Sequence, residues 1–399
     1  MQTSQSPSIL CLASYFKGQR FIQRCAEEGW PTYLLTVASL LHEDWPRQYL
    51  KDVFALPTFA DRRALTNTIA YLMREIPITR VVALDDFDVE VAGFLRDHFR
   101  LPGFGESTAR LFRDKLAMRS KAAELNVRQP PFTAVFHRPA VADFLRRVEG
   151  PWLLKPRSQA SAAGIRRLSQ PEQVWQTLDA LGDEAQHYLL EKLVPGDVYH
   201  VDSLVADGRV VFAEVNGYRR PLLEVYHDGG IYATRTVPRD SLEAVRLREV
   251  NELVLTGFGL RRGASHTEFL RSHADGTMYF IETSARVGGA YTADMVEAAT
   301  GINLWSEWAK LEVDPQPYTL PPTHARFGGV ILSLARQEWP DTSAYDAPEI
   351  VQRVKLRHHV GFVFCADTPE QIDAVQSAFL PRIAQDFAAV MPPAERVSL

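Results

Sequence analysis

Residues 277–291 read TMYFIETSARVGGAY, and this stretch combines the pattern of a strand with a row of polar groups. Successive side chains of a strand point to opposite faces, so Glu282, Ser284 and Arg286 share one face. The residues between them take the other face. The stretch therefore predicts a strand that aligns a carboxylate, a hydroxyl and a guanidinium just before the glycine pair Gly288–Gly289.

A β-hairpin is predicted to contain this strand. The segment HTEFLRSHADGTMYFIETSAR includes Asp275–Gly276, and Asp-Gly between alternating apolar runs is the strongest short hairpin signal. If the two strands pair through this turn, His266 and Glu268 of the first strand point into the same cleft as Glu282. Two carboxylates held together repel each other unless a cation lies between them, and hard oxygen ligands suit Mg²⁺. The alternative is a solvated face with surface ion pairs.

The bulk composition argues against several classes of function. The chain has 399 residues, of which 46% are hydrophobic, which is enough for two or three domains. The net charge of −5 comes from interspersed charges, so nucleic acid is not a predicted partner. No apolar run approaches the ~20 residues of a membrane span, so no membrane association is predicted. Three scattered cysteines, Cys11, Cys25 and Cys365, predict reduced thiols in a cytoplasmic protein.

The first hundred residues alternate strand patterns with helical patterns, which predicts a parallel sheet covered by helices. The segment YFKGQRF after the first strand lacks the glycine triplet of a dinucleotide fold. We therefore predict a scaffold or substrate platform here rather than a NAD site. A long amphipathic helix is predicted over 108–127, and it stops at Pro130–Pro131.

The remaining pattern mixes strands and helices. Asp207–Gly208 predicts another hairpin, and the two hairpins flank a helix predicted over 240–259. A second helix is predicted over 291–312, ahead of the proline-rich break DPQPYTLPP. The segments that follow predict a small α+β region.

Two lysines are placed to meet phosphate groups. Lys155 ends the apolar strand PWLLKP, and Lys115 lies early in the long helix. The loop RSQASAAGI follows Lys155 and includes Ser161 and Gly164. Small residues let backbone N–H groups approach phosphate oxygens, as glycine-rich loops do. The alternative is an ordinary surface loop.

The segment HYLLEKLVPGDVYHVD indicates where a nucleoside would bind. An apolar strand leaves the core at Glu191–Lys192 and turns at Pro195–Gly196. Such a strand end offers backbone groups to an adenine edge, and Asp197 can accept hydrogen bonds from ribose hydroxyls. An ordinary charged strand end is the alternative.

Together these segments resemble the ATP-grasp superfamily, in particular its carboxylate–amine ligase-like members and the carbamoyl-phosphate synthetase and biotin carboxylase type. Five segments carry the resemblance in order from residue 114 to about 305: RDKLAMRSKAAELNVRQPPF, PWLLKP with its loop, LLEKLVPGDVYHVD, SHTEF, and FIETSARVGG followed by EAATGINLW. The resemblance implies a Rossmann-like domain over 1–105 and a two-lobed ATP-grasp domain over 106–312. It also implies a mobile lid lobe over about 130–195 and an α+β region over 313–399.

The resemblance implies ATP and Mg²⁺ as cofactors, with Mn²⁺ as the alternative ion, and it assigns roles to residues. Phosphate contacts fall to Lys115, Lys155 and the loop with Ser161 and Gly164. Adenine and ribose contacts fall to Glu191, Lys192, the backbone of Val194, and Asp197. The metal ligands are Glu268, Glu282 and Ser284, and the candidate catalytic residues are Arg286, Lys155 and His266. Ser284 stands where the family usually has asparagine, so the choice between one and two metal ions stays open.

The implied reaction activates a small-molecule carboxylate as an acyl phosphate and couples it to an amine, releasing ADP and phosphate. The predicted partners are a small carboxylic acid and an amino-acid-like amine, and a homodimer is a further expectation. Candidates for holding a substrate carboxylate or the acyl phosphate are Arg219, Arg220, Arg286, Gly288 and Gly289. A biotin carboxylase-like enzyme that uses bicarbonate, and a catalytically weak nucleotide-binding regulatory protein, stay open as alternatives.

Overall fold

Three β-sheets organise the chain, which a computed structural model describes over residues 6–160, 163–223, 225, 230–314 and 317–389. One sheet is parallel and the other two are antiparallel. Within those residues, no helix is both long enough and apolar enough to cross a membrane. The predicted combination of α/β and α+β elements is confirmed.

The N-terminal sheet is the predicted parallel sheet. Its strands are β1 (Ser8–Ala13), β2 (Thr32–Val37), β3 (Asp52–Leu56) and β4 (Ile78–Ala83), in the order β3-β2-β1-β4. The helices that alternate with these strands are α1 (Gln19–Glu27), α2 (Arg62–Leu72) and α3 (Val89–Phe99). Both faces of β1 are buried: Leu10 shares a hydrophobic core with Val201, and Cys11 shares another with Leu204. The parallel sheet is therefore packed against the strands that carry the site.

The prediction of a single long helix over 108–127 is wrong, because the structure has two helices in this segment. These are α4 (Glu106–Arg110) and α5 (Lys115–Glu124). The Asp114 side chain accepts a hydrogen bond of 2.9 Å from the backbone N–H of Leu116 and a longer one from Ala117. An aspartate that caps a helix satisfies its first free N–H groups, so the new helix begins at this residue.

A second sheet forms a lobe with its own small core. Its strands are β5 (Phe132–Ala134), β6 (Trp152–Pro156), β7 (Arg166–Leu168) and β8 (Tyr188–Lys192), in the order β5-β8-β6-β7. Two helices accompany it, α6 (Arg138–Arg147) and α7 (Pro171–Leu181). Val141 and Phe144 of α6 pack against Trp152 and Leu154 of β6. This lobe coincides with most of the segment predicted as a lid.

The third sheet has eight strands and carries both predicted hairpins. In chain order they are β9 (Gly196–Ala206), β10 (Arg209–Tyr218), β11 (Tyr232–Thr236), β12 (Gly263–Ser272), β13 (Met278–Ser284), β14 (Phe327–Leu334), β15 (Ile350–Arg353) and β16 (His359–Ala366). Their order in the sheet is β13-β12-β9-β10-β11-β14-β16-β15. Gly208 and Gly276 both have positive φ angles in the turns, as Asp-Gly turns require.

In the part of the chain that the structure describes, the helices beyond β10 that pack with this sheet include α8 (Leu242–Gly257), α9 (Thr292–Thr300), α10 (Leu304–Val313) and α11 (Pro369–Asp386). The prediction of a single helix over 291–312 is wrong, because α9 ends at Gly301, which has a φ of 79°. Asn303 then caps α10 by accepting from the N–H of Ser306 at 2.9 Å. The C-terminal strands β14 to β16 extend the eight-stranded sheet through the pairing of β11 with β14. The boundaries drawn at 105 and 312 stay a prediction.

Candidate active site

The β12–β13 hairpin brings the two predicted metal-binding carboxylates directly opposite each other. Glu268 pairs with Glu282 in the strand register, and His266 pairs with Ser284. Residues paired across antiparallel strands point to the same face, and like charges in such a pair destabilise the sheet unless they are neutralised. The partners of each carboxylate therefore define the chemistry of the site.

Glu282 is neutralised by a lysine from another element. The Lys115 ammonium, at the start of α5, lies 2.9 Å from Glu282 Oε2. It also donates a hydrogen bond of 2.7 Å to the backbone oxygen of Gln159, in the loop after β6. Lys115 thus connects the β12–β13 hairpin to the loop after β6, which the sequence analysis predicted to bind phosphate.

Glu268 is held by a tyrosine hydroxyl and by a histidine. The Tyr218 hydroxyl donates a hydrogen bond of 2.8 Å to Glu268 Oε1, and His266 Nε2 lies 3.7 Å from the same oxygen. Burial alone would raise the pKa of the Glu268 carboxyl, but His266 and Tyr218 lower it below its ordinary value. The carboxylate is therefore ionised at neutral pH and able to meet a cation.

A buried aspartate fixes the orientation of His266. Asp202, on β9, accepts hydrogen bonds from His266 Nδ1 at 2.8 Å, His200 Nδ1 at 2.7 Å and Asn216 Nδ2 at 3.0 Å. Burial would lower the pKa of His266, but the Asp202 carboxylate raises it to about 9. The ligand atoms of His200, Asp202 and His266 lie within 4.8 Å of one another, as in a metal site. However, these side chains are already hydrogen-bonded within the group, and a Cβ at Gly288 would lie 2.7 Å from Asp202 Oδ1. We therefore interpret the group as a positioning network.

Lys155 lies in a buried ion-pair cluster at the ends of β6 and β8. Its ammonium pairs with Glu191, whose Oε2 also accepts from Arg119 Nη2 at 2.9 Å and from Nε at 3.2 Å. Burial would raise the pKa of Glu191, but the charges of Lys155 and Arg119 lower it to about 2. Arg119 Nη1 donates to the backbone oxygen of Ile281 at 2.5 Å. The cluster therefore connects the predicted adenine strand to the carboxylate hairpin, and sequence analysis did not identify Arg119.

A second residue that sequence analysis missed is Asp86, which follows β4. Its carboxylate accepts a hydrogen bond from the Ser284 hydroxyl and lies 2.8 Å from Arg113 Nη1 and 3.8 Å from Arg286 Nη2. Burial would raise the pKa of Asp86, but the charges of Arg113 and Arg286 lower it below its ordinary value. Asp86 therefore holds Ser284 and orients Arg286.

Two further candidates already have partners within the protein. Asp197 pairs with Arg271 Nη2 at 2.9 Å and with His273 Nε2 at 3.0 Å. Arg219 lies 3.1 Å from Asp373 and donates to the side chain of Gln376 at 3.0 Å. A ribose hydroxyl at Asp197, or a substrate carboxylate at Arg219, would have to share or displace these contacts.

One cleft of about 1910 Å³ contains nearly all the predicted site residues. Its lining includes Lys115, Lys155, Gly164, Glu191, Lys192, Val194, Asp197, Arg219, Arg220, His266, Glu268, Glu282, Ser284, Arg286 and Gly289. Gly288 lies beside the cleft against the histidine network, and Ser161 lies outside the described residues. Pockets for a single small ligand measure roughly 300–1,000 Å³, so this cleft has room for more than one substrate.

Comparison with known proteins identifies the central part of the chain. Residues 148–294 match the family model described as an ATP-grasp domain. The L-arginine-specific L-amino acid ligase of Bacillus subtilis is 24% identical over 271 residues, which cover 66% of this chain and 65% of that protein. The match therefore spans slightly less than two thirds of that relative.

Solved structures show the same fold over almost the whole chain. The L-amino acid ligase from Bacillus licheniformis has a TM-score of 0.74 and 18% identity, covering 98% of this chain and 100% of that chain. The N5-carboxyaminoimidazole synthetase from Staphylococcus aureus, complexed with ADP, has a TM-score of 0.72 and 13% identity, covering 93% of this chain and 96% of that chain. This protein therefore contains an ATP-grasp domain and has the fold of ATP-grasp proteins, which confirms the resemblance predicted from the sequence.

Proposed function

We propose that this protein is an ATP-dependent ligase that couples a small-molecule carboxylate to an amine, forming an amide or peptide bond. The observation that carries the proposal is the paired carboxylates Glu268 and Glu282 in a cleft that also contains Lys115, Lys155 and Arg286. The similarity to L-amino acid ligases supports an acid and an amine of amino-acid type.

The donor set of the hairpin fits Mg²⁺, or Mn²⁺ in its place. Glu268 and Glu282 present hard carboxylate oxygens from neighbouring strands, and both line the cleft. The Ser284 hydroxyl, already donated to Asp86, has only its lone pairs left for a third contact. When bound, the ion would neutralise charge on the ATP phosphates and on the phosphoryl group in transfer.

The cations of the cleft address the main barrier of the first step, which is the repulsion between two anions. A carboxylate oxygen of the acid attacks the γ-phosphorus of ATP, the bond to the β-phosphate oxygen breaks, and ADP leaves. Lys155 and Lys115 would hold the phosphates, and Arg286 would meet the transferred phosphoryl group. Charges fixed in advance in a closed site stabilise the transition state more than charges that must reorganise.

The second step forms the new bond. The amine nitrogen attacks the carbonyl carbon of the acyl phosphate, phosphate leaves, and the nitrogen loses a proton. Gly288 and Gly289 offer backbone N–H groups near Arg286 for the phosphate or for the acceptor carboxylate. His266, held by Asp202, faces Glu268 from the same strand face and is the third proposed catalytic residue.

The nucleotide would lie between the two antiparallel sheets. The strand end at Glu191, Lys192 and Val194 would hold adenine, and Asp197 would hold the ribose. Because Arg119 and Lys155 occupy the Glu191 carboxylate, the adenine contacts there would come from the backbone. The lobe with the loop at Gly164 would close over the phosphates and keep water from the acyl phosphate.

The decisive experiment measures ADP and phosphate release with ATP, Mg²⁺ and a matrix of acids and amines, and identifies products by mass spectrometry. We expect ADP release that requires both an acid and an amine, together with an amide product. ADP release with bicarbonate alone would instead favour the biotin carboxylase-like alternative. Tight ATP binding without release for any pair would favour the regulatory alternative.

A variant pair tests the carboxylate hairpin itself. Glu282→Gln should reduce ADP release by roughly 100-fold or more, because a neutral amide replaces one of the two carboxylates that would hold the Mg²⁺ ion against the phosphates. The exposed Glu249→Gln on α8 is the matched control and should retain activity. Circular dichroism should show that both variants keep the wild-type fold. Release by Glu282→Gln near the wild-type rate would contradict the metal-binding role.

A homodimer and a cytoplasmic location stay predictions. The three cysteines are free and buried, as expected for reduced thiols. Light scattering coupled to size-exclusion chromatography would test the dimer.

A further inference from the structure

The loops after β1 and β4 meet at one end of the parallel sheet and line the same cleft. In the order β3-β2-β1-β4, the chain runs outward from β1 through β2 to β3 and then crosses back to β4, on the other side of β1, so the strand order reverses between β1 and β4. Ligands of open parallel sheets bind outside the carboxyl ends of the strands at such a point. Tyr15 and Lys17 follow β1, Asp85 and Phe87 follow β4, and all four line the cleft.

The two loops are fixed to each other rather than merely adjacent. The backbone N–H of Ser14 donates to Asp88 Oδ2 at 2.7 Å. Gly18 has a φ of 84°, and a Cβ at this position would lie 2.6 Å from Leu84 Cδ1. Glycine therefore allows the close approach, and the surface that the two loops form is built in advance.

Two aromatic rings of this surface are stacked and face the cleft. The centroids of Tyr15 and Phe87 are 5.2 Å apart with an interplanar angle of 24°, and the side chains are 47% and 37% exposed. The Arg113 guanidinium, from the segment between α4 and α5, lies 4.7 Å from the Phe87 centroid. Exposed aromatic rings in a cleft offer a large apolar contact area that a flat or bulky apolar group can cover.

A cation stands beside the rings. Lys17 Nζ lies 2.5 Å from Asp85 Oδ2, and the lysine side chain is 40% exposed whereas the aspartate is 1% exposed. An ammonium has three donors, so Lys17 can pair with Asp85 and still meet an anion in the cleft. The next residue, Asp86, lies 3.8 Å from Arg286. The two consecutive residues Asp85 and Asp86 therefore connect the Lys17 cation to Arg286, which lines the proposed reaction site.

We propose that Tyr15, Phe87 and Lys17 form the subsite of the amine substrate and select an amino acid with an aromatic or large apolar side chain. Lys17 pairs with its α-carboxylate, the rings hold its side chain, and its α-amine faces Arg286. The carboxylate of the acid substrate must reach the ATP phosphates near Glu282. Lys17 lies instead beside the loops after β1 and β4, where it suits the α-carboxylate of the amine substrate, which does not react. The inference rests on the proposed ligase function.

The aromatic part is tested by Tyr15→Ala and Phe87→Ala, with KM measured for ATP, the acid and a series of amines. We expect wild-type protein to show a lower KM for phenylalanine or leucine than for alanine as the amine. Each variant should raise the KM for the large amino acids by roughly threefold to tenfold, because one ring contact is lost. The KM values for ATP and alanine should stay within about twofold.

A matched control removes an exposed tyrosine elsewhere. Tyr71, on α2, is 66% exposed, and Arg74 lies 5.3 Å from its ring centroid. Tyr71→Ala should leave every KM unchanged. Equal KM values in Tyr15→Ala, Phe87→Ala and wild type would overturn the inference, and so would a change in the KM for the acid alone.

The charge is tested by Lys17→Met and by Lys17→Arg, which keeps the partner of the buried Asp85. Lys17→Met should raise the KM for phenylalanine about tenfold and leave the KM for phenylalanine amide unchanged, because the amide carries no carboxylate. Lys17→Arg should retain most of the affinity. If both variants raise the KM for phenylalanine amide as much as the KM for phenylalanine, Lys17 does not bind the α-carboxylate.

Failure of the ligase proposal gives a different result. If wild-type protein releases no ADP with any acid and amine, that proposal fails by itself. Calorimetry with phenylalanine in the presence of MgADP then tests the subsite directly. Binding that weakens in Tyr15→Ala and Phe87→Ala but not in Tyr71→Ala supports the subsite, and equal binding in all proteins overturns it.

Discussion

Replacing Glu191 with glutamine should destabilise the protein strongly while leaving its shape unchanged. The carboxylate is buried and neutralises both Lys155 and Arg119, and Arg119 has no exposed surface. Removing one partner of a buried ion pair costs about 3–5 kcal/mol, because the remaining charge stays buried without compensation. In Glu191→Gln two cations share that loss.

The pKa of Glu191 leads to a similar magnitude. Its pKa of about 2 in the folded protein lies well below the ordinary glutamate pKa of 4.5. At roughly 1.4 kcal/mol per unit, this difference corresponds to about 3 kcal/mol of stability. Because the folded pKa is lowered, this contribution is present above pH 4.5 and is lost as the pH falls from 4.5 towards 2. Glu191→Gln should therefore unfold more easily at pH 7 and depend less on pH between 5 and 3.

Urea unfolding followed by circular dichroism at several pH values measures both effects. The matched control is Glu149→Gln, which changes an exposed glutamate in the same lobe and should cost less than about 1 kcal/mol. A loss below about 1 kcal/mol in Glu191→Gln, with the same pH dependence as wild type, would refute the structural role of this cluster.

Four other substitutions test the site and the N-terminal sheet. Tyr218→Phe removes the 2.8 Å hydrogen bond to Glu268, so the Mg²⁺ concentration for half-maximal ADP release should rise about tenfold, whereas an unchanged value would contradict this contact. Gly288→Ala should lower kcat at least tenfold, because its Cβ would come within 2.7 Å of the carboxylate that bridges the two histidines. Gly289→Ala, where a Cβ meets no described atom within 4 Å, should keep wild-type kcat. Burial raises the pKa of Asp88 to about 7. The protonated carboxyl therefore stabilises the fold at low pH, and this contribution is lost as the pH rises from 4 through 7. Asp88→Asn should flatten the dependence of the melting temperature on pH between 4 and 7.

Local patterns in the sequence predicted most of the fold. The alternation of polar and apolar residues in the hairpin predicted which side chains share a face, and the Asp275–Gly276 turn predicted that Glu268 and Glu282 face the same cleft. The structure adds that these two residues pair directly across the strands. The helix boundaries were harder. Asp114 and Gly301 each interrupt a helical pattern, and both are residue types that cap or end helices.

Contacts between distant parts of the chain could not be predicted. Asp86 and Ser284 are 198 positions apart, and Arg119 and Glu191 are 72 apart. No local periodicity connects such residues, because the contacts depend on how whole elements pack. Asp86 nevertheless carries one usable signal: it follows a parallel strand, and the carboxyl ends of such strands commonly bind ligands.

The central claim is that the cleft activates a carboxylate by transferring a phosphoryl group to it. An acid labelled with ¹⁸O in its carboxylate tests this claim, once the acid and amine that support ADP release are known. If an acyl phosphate forms, one labelled oxygen leaves with the phosphate, and mass spectrometry should find ¹⁸O in the phosphate in proportion to the amide formed. Unlabelled phosphate, with both labelled oxygens kept by the acid or lost to water, would contradict the account.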